Sequence, residues 1–326
     1  MKGSVFTALR QEALSSREND PLILEDGKGL VFFHSSEEML ELDDGRVTLT
    51  FTSPPYWDLK DYGHPEQIGR NEPYDAYLER LARVFREVYR VSKENGILAV
   101  NIGTRRVGGV YYPIAFDLRN TLKEVGWNLI DDIIWYIPNN LPQPRHYINK
   151  LFDNKYEHVL IFAKSYRYDY TFNKIRITQK YRYKDPRSEK KNPAGRCIGN
   201  VWKIRAYRPP NIKTLNYHVA AFPEELAYAI IYAFSNPGDI VLDPFLGSGT
   251  TLKVALNMGR LALGYEINHD FKELIRARAN ETWTPPQFSA IDPLNGEVLG
   301  VSSTREVSEP HDFADLPLFQ AYEKSL

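Results

Sequence analysis

Two short motifs hold residue types that could do chemistry together. Thr52-Ser53-Pro54-Pro55-Tyr56-Trp57 sets a hydroxyl in front of two prolines and a large aromatic ring behind them. Proline fixes φ and lacks an N–H, so carbonyl oxygens here are held outward without helix or sheet partners. That assembly suits a planar amine, with acceptors for its N–H protons and a ring to stack on its face. The second motif is Asp243-Pro244-Phe245-Leu246-Gly247-Ser248-Gly249-Thr250-Thr251. Its glycines allow a ligand to approach the backbone, and a helix opening near Thr250 offers unpaired amide donors. Glu266 lies 23 positions beyond Asp243, at the tip of the next strand, where an acid can grip a ribose diol. Leu252 stands at the third glycine position of a dinucleotide fingerprint, and no Gly-Lys-Ser/Thr ending makes the turn a P-loop. Asp243 could hold a cationic group such as an amino-acid ammonium. A nucleoside bearing an amino acid, S-adenosylmethionine, fits these features together. Taken singly, each motif also fits a plainer role, a capped glycine turn or a proline-rich turn with an aromatic plug.

Both motifs need strands to carry them. Gly29 to Phe33 is a short apolar run, followed by His34-Ser35-Ser36 and an expected helical turn over Glu37 to Leu42. Val47 to Thr52 is β-branched and stops at the prolines. Leu78, Leu81, Phe85 and Val88 recur at helical spacing and predict an amphipathic helix over Tyr74 to Val91. Asn95-Gly96 is expected to stop it before a strand over Ile97 to Ile102. A helix over Ile114 to Val125, ending at Gly126, precedes strands over Trp127 to Ile137 and Tyr156 to Phe162. After a tyrosine- and base-rich excursion, a helix over Pro223 to Phe234 leads to a strand over Asp239 to Phe245. A helix from about Thr250 to Met258, a strand over Leu261 to Ile267 and a helix from about Asp270 complete the series. Such alternation predicts an α/β fold, a doubly wound and mostly parallel sheet covered on both faces. The expected division is a leader over 1–28, one half-domain over 29–163, an insert over 164–215, the other half-domain over 216–284 and an acidic extension over 285–326. That extension includes Leu316, Leu318 and Phe319, which could dock on their own domain or on a second subunit.

The chain has 326 residues, a net charge of −1 and one cysteine. The near-neutral charge averages two opposed regions. Residues 164–215 carry 15 Lys+Arg against 3 Asp+Glu, a balance of +12, while 285–326 carry 2 against 7, a balance of −5. The basic block has the charge of a polyanion-binding element or of a solvated insert. Its candidates for polyanion contact are Arg167, Lys180, Arg182, Lys184, Arg187, Arg205 and Arg208, and its tyrosines either stack on a planar partner or line a small core. A single cysteine excludes an intramolecular disulfide and a cysteine-cluster metal site, and the seven histidines show no ligand spacing, so no metal is expected. No run of 18 apolar residues and no apolar N-terminal stretch is present, which points to a cytoplasmic protein.

The two motifs in this order, together with Tyr217-His218-Val219-Ala220-Ala221-Phe222-Pro223-Glu224-Glu225-Leu226 and Tyr156-Glu157-His158-Val159-Leu160, resemble the exocyclic-amino DNA methyltransferases, in the arrangement of their β class. The resemblance spans roughly residues 29–280. It implies a permuted Rossmann-like domain using S-adenosylmethionine, acting on a base flipped out of double-stranded DNA, often beside a cognate restriction endonuclease. Ser53, Pro54, Pro55 and Tyr56 would be catalytic. Ser35, His218, Phe222, Pro223, Asp243, Pro244, Phe245, Gly247, Ser248, Gly249, Thr250 and Glu266 would hold the cofactor. His34-Ser35 stands where relatives often carry an Asp for the adenine. The serine form of the catalytic motif goes in this family with cytosine N4, and the aspartate form with adenine N6. A C5-cytosine enzyme would need a Pro-Cys nucleophile, whereas Cys197 follows Arg196. Adenine N6 and RNA remain alternative targets. A non-catalytic binding protein is the reading from another class, and it predicts a damaged catalytic motif. Monomer and homodimer are both open.

Overall fold

The alternation of β-branched runs with apolar residues three or four apart becomes an alternation of strands and helices. A computed structural model describes residues 21–141, 150–177, 196–207 and 221–285. In chain order the elements are β1 (Leu22–Leu24), β2 (Gly29–Phe32), β3 (Val47–Thr52), α1 (Tyr74–Val91), β4 (Ser92–Ile102), β5 (Arg105–Val107), β6 (Val110–Tyr112) and α2 (Ile114–Val125). There follow β7 (Asn128–Tyr136), β8 (Tyr156–Ala163), β9 (Arg176–Ile177), β10 (Arg196–Cys197), β11 (Val201–Lys203), α3 (Glu224–Phe234), β12 (Ile240–Asp243), α4 (Thr250–Asn257), β13 (Leu261–Tyr265) and α5 (Lys272–Ala279).

Nine strands form one sheet in the order β1-β2-β13-β12-β3-β4-β8-β7-β11. The pairings leave only β1 and β8 running against the rest. The sheet is therefore mixed and mostly parallel. Helices α3, α4 and α5 bury Leu226, Ile230, Leu252, Val254 and Ile275 on one face. On the other face, α1 and α2 bury Tyr77, Leu81, Phe85, Leu118 and Leu122. The fold is doubly wound. Its chain leaves β12 towards one face and leaves the neighbouring β3 towards the other. A crevice opens where such connections diverge, outside the carboxyl ends of the two strands.

Local rules set the ends of the elements. The charged ends of α1 suit the helix dipole, with Asp75 in its first turn and Arg90 in its last. Helix α2 closes on Gly126, whose N–H reaches the Lys123 carbonyl while that of Trp127 reaches Leu122. Pro244 has no N–H to extend β12, which stops at Asp243.

Several elements differ from the sequence expectation. The helical turn over Glu37 to Leu42 does not form. Glu37 instead donates its amide to Ser35 Oγ, and its carboxylate accepts from Arg80 and Arg83 of α1. Asn95-Gly96 does not separate α1 from a strand, because β4 starts at Ser92 directly after the helix and runs through both residues. The leader is not wholly outside the fold: Leu22 and Leu24 are buried and pair with β2. The basic excursion is also less separate than expected, since Val201–Lys203 adds an edge strand beside β7 and buries Trp202. Tyr170 packs towards Phe234, while Tyr166 and Tyr168 are exposed. Tyr181 and Tyr183 lie outside the described residues. Among those described, no helix is long and apolar enough to cross a membrane. No group of three His, Cys, Asp or Glu there could hold a metal ion.

Candidate active site

Strands β3 and β12 lie side by side, so the two motifs emerge next to each other. Thr52 Oγ1 donates to one oxygen of the Asp243 carboxylate at 2.6 Å, and Thr251 Oγ1 donates to the other at 2.7 Å. The Phe245 amide adds a third bond at 3.1 Å. Burial pushes the Asp243 carboxyl up to about 6. This corrects the expectation that Asp243 grips the ligand. Its carboxylate turns into the sheet, does not line the cavity, and latches β3 to the glycine turn.

After Asp243 the chain makes a tight turn. Gly247 and Gly249 take φ of 54° and 87°, a left-handed backbone that glycine adopts without strain, and the Gly249 amide closes on the Leu246 carbonyl. The turn delivers Thr250 to the start of α4, where its Oγ1 is buried without a hydrogen-bond partner. Glu266, just past β13, accepts the Gly247 amide at 2.8 Å and the Asn268 amide at 2.9 Å. Burial raises its carboxyl to about 7. Beside its backbone donors this carboxylate keeps acceptor capacity for a ligand diol. Arg278, itself buried, donates to Ser248 Oγ behind the turn.

One cavity takes Ser53 and Pro55 from the first motif, and Pro244, Phe245, Gly247, Ser248 and Thr250 from the second. Ser35, Phe222 and Glu266 also line it. Pro54, Tyr56, Pro223 and Gly249 adjoin these residues in sequence but do not themselves line this cavity. His218 lies outside the described residues, as do Lys180, Arg182, Lys184, Arg187 and Arg208. Arg167 and Arg205 are described, exposed and away from the cavity lining.

Three contributions were not anticipated. The segment after Ser53-Pro54-Pro55-Tyr56 brings Tyr62, Gln67 and Ile68 to the cavity wall. Asn268 Nδ2 holds the Tyr62 carbonyl at 2.8 Å, and burial with the nearby Glu266 charge pushes the Tyr62 hydroxyl up to about 12. The cavity wall also includes His34, whose two ring nitrogens face the Ser35 carbonyl at 3.0 Å and the Glu41 carboxylate at 2.7 Å. Both partners only accept, so two N–H groups satisfy them, and the Glu41 bond raises the imidazole above its ordinary range. The third contribution is a frame around Tyr56. Its hydroxyl donates to Glu157 Oε2 at 2.8 Å and lies 3.3 Å from Ser53 Oγ. Gly103 makes room for the ring, as a Cβ there would sit 2.8 Å from Tyr56 Cε2. A glycine directly after a buried strand was the available sequence signal.

A partnerless buried hydroxyl, an acid with spare acceptor capacity and a glycine turn at a helix start fit a nucleoside ligand. With the doubly wound sheet, they define the class as a nucleotide-binding α/β domain. Residues 47–277 match the DNA methylase family of N6/N4 type. A type II methyltransferase of Methanothermobacter thermautotrophicus, M.MthZI, is 32% identical over 77% of this chain and 76% of its own length. M.SmaI of Serratia marcescens is 31% identical, over 74% and 87% respectively. The Thermus thermophilus protein TTHA0409, in its structure complexed with S-adenosyl-L-methionine, has a TM-score of 0.52 and 27% identity, covering 77% of this chain and 95% of that one. The PvuII cytosine-N4-specific DNA methyltransferase shares the fold, with a TM-score of 0.61 and 22% identity over 78% of this chain and 86% of its own. The chain belongs to the exocyclic-amino DNA methyltransferase family. Its cofactor is S-adenosylmethionine.

Proposed function

We propose that this enzyme methylates N4 of a cytosine flipped out of double-stranded DNA, as the protective half of a restriction–modification pair acting beside a cognate endonuclease. The observation carrying the choice of atom is Ser53, a serine rather than an aspartate on the wall shared with the cofactor turn. When bound, S-adenosylmethionine supplies an activated methyl group on its sulfonium. The chain's own residues must then align a poor nucleophile, because the amino lone pair of cytosine is delocalised into the ring. Ser53 Oγ and the Pro54 carbonyl accept the two N–H bonds and favour the pyramidal form found near the transition state. The next carbonyl, that of Pro55, already accepts the Tyr77 hydroxyl at 2.7 Å, which fixes the turn. Tyr56 stacks on the base. On the cofactor side, Glu266 takes the ribose hydroxyls, and the Gly247–Gly249 turn with Thr250 holds the amino-acid end beside Phe222.

A base inside a duplex cannot reach this cavity, so it must leave the stack. The basic region over 164–215 is assigned to clamping phosphates. Digesting DNA modified by the purified chain and separating the nucleosides by mass tests the target atom. N4-methylcytosine is expected. N6-methyladenine would overturn the choice of atom while leaving the family intact.

A further inference from the structure

Glu157 is a half-buried acid that the mechanism above leaves unused. It lies one residue inside β8, where its neighbour His158 pairs with Asp132 of β7 at 3.0 Å. Two donors converge on its Oε2: the Tyr56 hydroxyl at 2.8 Å, and Asn101 Nδ2 of β4 at 2.9 Å. Beyond Tyr56 the chain of contacts continues to Ser53 Oγ at 3.3 Å, and Ser53 faces the cavity. Gly103 completes the frame against the Tyr56 ring and the Glu157 carboxyl group.

Hydrogen counting gives this chain a direction. An ionised carboxylate only accepts, so the single hydrogen of the Tyr56 hydroxyl goes to Glu157. The Tyr56 oxygen can then only accept from Ser53, which spends its own single hydrogen on that contact. Towards the cavity Ser53 Oγ is left with lone pairs alone. Without the carboxylate, Tyr56 could donate to Ser53, and the serine hydrogen would point at the incoming amine, donor against donor. We infer that Glu157 is a positioning residue that fixes the hydrogen-bond polarity of the Ser53–Tyr56 pair, making Ser53 an obligate acceptor for the target amino group. The inference rests on the proposed role of Ser53.

Burial raises the Glu157 carboxyl, against the opposing Tyr56 and Asn101 bonds and the neighbouring His158. The groups facing it are therefore Tyr56 and Ser53 from the loop after β3, Asn101 from β4, and His158 with Asp132 at the β8–β7 side. Once protonated, Glu157 can donate, and the polarity reverses. Methyl transfer should fall as pH drops through the Glu157 titration.

The test is single-turnover transfer of tritiated methyl groups to unmethylated plasmid DNA at saturating cofactor. Glu157→Leu and Tyr56→Phe should each slow transfer by about 100-fold, the low end for loss of one transition-state contact. The double variant should be no slower than the slower single one, because both changes break the same chain. Glu157→Gln should retain most of the rate at pH 8, since its amide oxygen still accepts from Tyr56. Asn101, donating to the same atom, disfavours the flipped amide. The acid limb assigned to Glu157 should disappear in Glu157→Gln. Losses that multiply in the double variant, or a Glu157→Gln enzyme with the parental acid limb, would overturn the inference. If Glu157→Leu does not fold, the acid limb of Glu157→Gln decides alone. Ser53→Ala at full rate would instead overturn the role of Ser53 itself, which separates the two failures.

Discussion

Replacing Thr52 by valine removes one hydroxyl from the latch between β3 and β12 while keeping the side chain's shape. In the native structure that hydroxyl donates at 2.6 Å to a fully buried carboxylate. A bond to a charged group contributes about 1.5–3 kcal/mol, so a loss of about 2 kcal/mol is expected at pH 8. The effect should depend on pH, because the Asp243 carboxyl is raised from its usual 3.8 to about 6. An acid raised on folding favours the folded state fully below its unfolded value, and that contribution is lost as pH rises through about 6. At roughly 1.4 kcal/mol per pH unit, holding the charge in the fold at pH 8 costs about 3 kcal/mol. Thr52 offsets part of that cost, and its removal moves the carboxyl further up. At pH 5 the folded carboxyl is mostly protonated, the bond is between neutral groups, and the loss should shrink to about 1 kcal/mol. Urea unfolding followed by tryptophan fluorescence at both pH values gives the two numbers from shifts in midpoint. A loss below about 0.5 kcal/mol at pH 8, or an equal loss at both pH values, would refute the latch.

Glu266→Gln should raise the cofactor dissociation constant by about tenfold, the difference between a charged and a neutral acceptor, with methyl transfer at saturating cofactor much less affected; titration calorimetry reads the first quantity. Gly103→Ala places a Cβ 2.8 Å from the Tyr56 ring, so the turnover rate should fall while cofactor binding stays within about twofold, a split that binding and steady-state assays separate. Neutralising Lys180, Arg182, Lys184 and Arg187 together should flatten the salt dependence of DNA binding by about 0.9 for each phosphate no longer neutralised, measured by fluorescence anisotropy across a salt series. An unchanged slope would remove the phosphate-clamp role from these residues.

The sequence was most readable where one period dominated. Helix α1 falls on Tyr74–Val91 as expected, because its apolar residues face a single sheet surface. The strand ends carrying Ser53 and Asp243 were legible from prolines and glycines, whose backbone limits are local. Side-chain direction was not legible. Asp243 sits in a motif that suits a ligand contact equally well, and only the positions of Thr52 and Thr251 show that it faces inward. The Glu37–Leu42 turn failed because Ser35 and the arginines of α1 compete for Glu37. Three residues in a basic region, Val201–Lys203, give no periodicity, and their place beside β7 is a long-range pairing. Glu157 left only a faint trace, an acid beside His158 at the head of a strand that is apolar from Val159 onward.

The central claim is that the serine motif and the glycine turn build one chamber, with the reacting methyl group presented to Ser53. A crystal structure of the chain with S-adenosylhomocysteine tests it most directly. The ribose hydroxyls are expected on Glu266, the amino-acid end at the Gly247–Thr250 turn, and the sulfur facing Ser53. Ribose hydroxyls away from Glu266, or a sulfur turned from Ser53, would contradict it.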